Sequence, residues 1–133
     1  MKSEEIYQEI ILDYWRNPKN YGKLENPDIS FRDTNPSCGD IIEIAIKIGK
    51  NNIIENIKFN GSGCIISQVS ASMLTELVKN KSLEDIKNLK KEEILNMLGI
   101  ELSGMRLKCA LLSLKVLKFG VYNYLGEEND REE

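Results

Sequence analysis

With 133 residues, 41% of them hydrophobic, and a formal charge of −3, the chain suits one domain with a single core and is too apolar for a disordered segment. Its Lys and Arg residues are scattered, which argues against a nucleic-acid surface. Gly61–Thr75, the least charged stretch, is too short and serine-rich to span a bilayer, and the opening MKSEEIYQEI lacks the apolar core of a signal peptide, so a cytoplasmic protein is expected.

Ser3 is a suitable N-cap, followed by Glu4 and Glu5 in the positive first turn of a helix. Ile6, Ile10, Ile11 and Tyr14 recur at helical spacing, and the helix must stop before Pro18. Residues 17–28, NPKNYGKLENPD, read as loop. Residues 29–34, ISFRDT, are a candidate third strand. Residues 41–48, IIEIAIKI, alternate with Ile42, Ile44, Ile46 and Ile48 on one face. GKNN is a turn, and residues 53–59, IIENIKF, complete a hairpin.

After NGSGC the period changes. Ile66, Val69, Met73, Leu74 and Leu77 predict a helix ending near Val78. Ser82 and Asp85 resemble a capping box for a short helix, Lys91–Leu98 predicts another stopped by Gly99, and the last runs from about Met105 to Leu125. Residues 127–133 are a charged tail expected to fray, leaving residues 1–126 as the domain. Segregated strands and helices imply an α+β fold, with a small three-stranded antiparallel sheet covered on one face by helices.

Three cysteines are an odd number for a disulfide framework, so reduced thiols are expected. Each falls at an element boundary: Cys38 in the loop entering the hairpin, Cys64 at the end of the glycine-rich GSGC turn that includes Gly63, and Cys109 in the first turn or so of the last helix. Loops gather functional groups, and a helix N-terminus favours the thiolate. The alternative is three structural cysteines in the core. If they converge they offer three sulfur ligands. Zinc takes four ligands, and the chain has no histidine. Asp40 is the candidate fourth ligand, because residues two apart in an extended segment point the same way, while Gly39 lets the backbone bend close. Arg106 and Lys108 can offset the negative charge of such a site or simply face solvent. A carboxylate matches an iron–sulfur cluster less well than a fourth thiolate would, so the site should hold a cluster loosely.

The words NPKNYG (17–22), NPSCGD (35–40), GSGCIISQVSASML (61–74) and RLKCALL (106–112) resemble, in the same order, those of the IscU/SufU/NifU N-terminal family of iron–sulfur cluster assembly proteins. The resemblance implies a small α+β scaffold on which a [2Fe–2S] cluster is built. Sulfur would come from a cysteine desulfurase, and the cluster would pass to apo iron–sulfur proteins. It also implies Cys38, Asp40, Cys64 and Cys109 as ligands, with Cys109 as the persulfide acceptor. Zn²⁺ on the same ligands is the alternative cargo. A zinc-dependent sulfur acceptor is then the alternative function, a homo-oligomer is compatible with either, and neither involves nucleic acid or membrane. Lys108 stands where IscU-type members carry histidine, and IELSGM stands at the place of their chaperone-recognition segment. The wording around Cys64 and Lys108 is SufU-like, whereas the compact Cys64–Cys109 span is IscU-like.

Overall fold

The computed structural model describes residues 4–36 and 39–127. Helix α1, Glu4–Arg16, is followed by three strands: β1, Ile29–Asn35; β2, Asp40–Ile48; and β3, Ile54–Ser62. Among the described residues four α-helices follow: α2, Ile65–Val78; α3, Leu83–Lys87; α4, Lys91–Leu98; and α5, Met105–Leu125. The sheet is antiparallel in the order β1-β2-β3. This is the expected α+β class. Residues 29–34 do form the third strand, at one edge of the sheet. The proposed cap Ser3 and all of the tail beyond Glu127 lie outside the described residues.

The local signals act where chemistry requires. Ser82 Oγ accepts the Asp85 N–H at 3.0 Å and Asp85 returns the bond, closing the capping box of α3. Helix α4 ends at Gly99, which adopts the left-handed conformation. Among the described residues, no helix is long and apolar enough to cross a membrane.

Ile42, Ile44 and Ile46 point into the core with at most 1% exposure, while Ile48 at the strand end is only partly buried. Val69, Leu74, Leu114, Leu117 and Val121 of α2 and α5 join them. Residues 60–62 were not expected in a strand. They extend β3 because Ile41 pairs with Ser62 and Ile42 with Gly61. That extension carries the chain from the sheet directly to Cys64.

Helix α2 is unusual in burying Ser67, Ser70, Ser72 and Thr75 alongside its apolar residues. Buried hydroxyls need partners, and each side of the helix supplies them. Ser70 donates to the Ala110 carbonyl at 2.6 Å and lies 3.2 Å from Ser113 Oγ, joining α2 to α5. Ser72 accepts the Lys19 N–H at 2.6 Å, and Asn20 Nδ2 donates to Thr75 at 3.1 Å. The backbone of Asn20 and Gly22 also bonds to Phe59 of β3. The loop word NPKNYG and the Ser72 and Thr75 hydroxyls of α2 are therefore two halves of one polar contact.

Candidate metal centre

Asp40 opens β2, and Cys64 is the N-cap of α2. The β2–β3 register sets them side by side. Asp40 Oδ1 accepts the Cys64 backbone N–H at 2.8 Å, and Cys64 Sγ lies 3.8 Å from Asp40 Oδ2. One carboxylate oxygen thus caps the helix and the other faces the thiol.

Cys109 comes from α5 and is 2% exposed. It is the fifth residue of that helix, in the second turn rather than the first, so its thiol is packed within the core cluster instead of sitting at the helix tip. The Ser70 bond to Ala110, its neighbour, holds this part of α5 against α2. Asn35, the last residue of β1, directs its side-chain N–H to Cys109 Sγ at 3.8 Å.

Ligand atoms of Asp40, Cys64 and Cys109 all lie within 4.8 Å of one another. Three of the four residues expected at the site therefore converge. Cys38, the fourth, lies outside the described residues. Cys64 and Cys109 are not disulfide-bonded. A tetrahedral zinc with one sulfur and one oxygen ligand would separate those atoms by about 3.6 Å, close to the spacing between Cys64 Sγ and Asp40 Oδ2. The donor set suits a soft or borderline metal, and it gives the buried carboxylate a use. Asp40 is wholly buried, and among the described residues no ion pair reaches it; a buried charge is costly unless it is paired or coordinates a cation.

The supporting residues divide. Gly63, at φ +136°, sits so close that an added Cβ would overlap the Asp40 carboxylate. The close approach expected at Gly39 is found here instead. Gly39, at φ +74°, has nothing within 4 Å of its missing side chain among the described residues, and its backbone conformation is one that favours glycine. Arg106 and Lys108 are both exposed, and neither is hydrogen-bonded or ion-paired among the described residues. Asn35 is a residue of this site that the sequence motifs alone do not single out. The signal that places it inward is strand alternation with Ile29, Phe31 and Asp33.

Beside the site, a cavity of ≈ 320 Å³ is lined by Tyr14, Trp15, Tyr21, Phe59, Gly63 and Gln68. Tyr21 stands edge-on to Phe59, with ring centroids 5.2 Å apart. Tyr14 donates to Glu76 at 2.5 Å, and its pKa is pushed up to about 12, first by burial and then by this bond. Because the folded pKa exceeds the unfolded value, the stabilisation is complete below pH ~10 and is lost as pH rises toward ~12. A tyrosinate absorbance titration of the native protein, compared with Tyr14→Phe, should show one tyrosine titrating near pH 12 only in the former.

The fold and the converging side chains define a small α+β domain that brings one carboxylate and two thiols together in a group able to hold a metal ion. The chain belongs to the NifU-like N-terminal domain family, whose model matches residues 6–131. It is 35% identical to the zinc-dependent sulfurtransferase SufU of Bacillus subtilis, covering 87% of this chain and 89% of the relative. It is 34% identical to the iron–sulfur cluster assembly scaffold protein IscU of Haemophilus influenzae, covering 92% and 98% respectively. Among solved structures, it resembles a Fervidobacterium islandicum AW-1 protein described as an iron–sulfur cluster assembly scaffold for the SUF system. That match has a TM-score of 0.72 and 29% identity, and covers 90% of this chain and 99% of the other.

Proposed function

We propose that the chain is a scaffold rather than an enzyme, on which a [2Fe–2S] cluster is assembled as cargo. Cys38, Asp40, Cys64 and Cys109 hold it, a cysteine desulfurase supplies the sulfur, and apo iron–sulfur proteins receive the product. The setting is the cytoplasm, where thiols stay reduced. The observation that carries this reading is the convergence of one carboxylate with two cysteines. Asp40 has one oxygen engaged by the Cys64 N–H, so it offers the other as a single, hard ligand. Such a ligand binds an iron–sulfur centre less firmly than thiolate does, which suits release over retention.

Sulfur enters by exchange. A thiolate of the scaffold attacks the outer sulfur of the donor's persulfide; a new S–S bond forms, the donor's S–S bond breaks, and the donor leaves as thiolate. Cys109 is the proposed acceptor, and its burial requires the site to open for delivery. Cys109→Ser should abolish sulfur loading, read as the added mass on the intact chain. Unchanged loading would move the acceptor role to Cys38 or Cys64.

The second reading is a zinc-dependent sulfur acceptor. Its support is the similarity to the zinc-dependent sulfurtransferase SufU, and the Cys64–Asp40 spacing is compatible with a single tetrahedral ion. The deciding experiment is anaerobic purification with metal analysis, then addition of iron, cysteine and a desulfurase. A sulfide-to-iron absorption band that can be transferred to an apo-ferredoxin supports the scaffold. One tightly held zinc, no cluster and faster desulfurase turnover support the sulfur acceptor. Zinc with neither effect overturns both.

A further inference from the structure

We infer that Asn35 is a positioning residue of the metal centre, its side-chain amide holding the Cys109 sulfur through an N–H···S hydrogen bond; the inference rests on Cys109 being a ligand, as proposed above.

Asn35 touches the site in three ways. Its side-chain Nδ2 lies 3.8 Å from Cys109 Sγ. It is the register partner of Asp40, so the strand that presents one ligand is paired with the residue that holds another. Its carbonyl also accepts the Gly39 N–H at 2.9 Å, which ties the start of β2 to the end of β1. The side chain is buried at the end of the β1 face that packs on α5. An apolar residue would fill such a place without the desolvation cost of an amide.

The chemistry matches a metal-bound thiolate. The amide N–H is a donor without charge, so it stabilises the sulfur's negative charge while adding none to the metal. It also fixes the direction of the sulfur lone pairs. Hydrogen bonds of this kind orient ligands and tune the metal they bind. Both ligand types are then served by an N–H: that of Cys64 bonds the carboxylate and Asn35 Nδ2 bonds the Cys109 sulfur. Asp at position 35 would keep the shape but offer no donor when ionised, and would face the thiolate with a like charge.

The test titrates cobalt(II) into the full chain and follows the thiolate-to-cobalt charge-transfer band, with zinc affinity measured by chelator competition. Removing the hydrogen bond raises the sulfur lone-pair energy. In Asn35→Ala the band should therefore move to longer wavelength, and zinc affinity should fall roughly 10–100-fold. Asn35→Asp should bind more weakly still, and being isosteric it decides the matter if the alanine variant does not fold. Native band position and native zinc affinity in the variants would overturn the inference and leave Asn35 a strand-end residue. A native chain that gives no thiolate-to-cobalt band at all would instead overturn the metal centre, and this inference with it.

Discussion

Gly63→Ala is expected to cost about 2–4 kcal/mol of stability and to abolish the proposed metal binding at Asp40, Cys64 and Cys109. Two effects add. The backbone at φ +136° is one that an L side chain rarely adopts, and the new methyl would lie 2.8 Å from Asp40 Cα and still closer to its carboxylate oxygen. Neither neighbour can yield cheaply: Asp40 is paired with Asn35 on one side, and its carboxylate caps α2 on the other. Urea denaturation of the metal-free protein and a zinc titration measure the two effects separately. Native stability in Gly63→Ala would mean that the junction of β3 and α2 relaxes as a unit, and that the close packing on Asp40 is not a constraint.

Asp40→Ala should combine two losses that Asp40→Asn separates. Alanine removes the acceptor for the Cys64 N–H, a helix-capping contact worth about 1–2 kcal/mol, and with it the oxygen ligand. Asparagine keeps a carbonyl oxygen for the N–H but loses the anionic ligand. The metal-free Asn variant should therefore unfold near the native midpoint, while the Ala variant unfolds earlier. For the proposed cargo, loss of the weakly held oxygen ligand removes the bond that opens for release, so a reconstituted cluster should persist longer in Asp40→Ala than in the native protein. A cluster that decays faster would show that Asp40 retains the cargo rather than releasing it. Equal stability of the two metal-free variants would show that the contact with α2 contributes little.

The elements could be read in the sequence wherever their causes are local. Pro18, the Ser82–Asp85 pair and Gly99 each bound a helix through backbone conformation or a bond within a few residues. Alternating isoleucines mark β2 because every second side chain meets the core. Residues 60–62 were missed as strand, since Asn, Gly and Ser lack strand propensity and pair only because β2 lies alongside.

By itself, the sequence determined the α+β order of elements, the residue types able to bind a metal, and the motif words that mark the family. The tertiary structure alone decided that Asp40, Cys64 and Cys109 meet, that Gly63 rather than Gly39 is pressed against the carboxylate, and that Asn35 reaches the Cys109 sulfur. It also decided that Cys109 is buried in the core while Arg106 and Lys108 face solvent. The physical reason is separation along the chain. Helix caps and strand alternation act over a few residues, whereas the Asn35–Cys109 contact spans 74 positions. It exists only because β1 packs against α5.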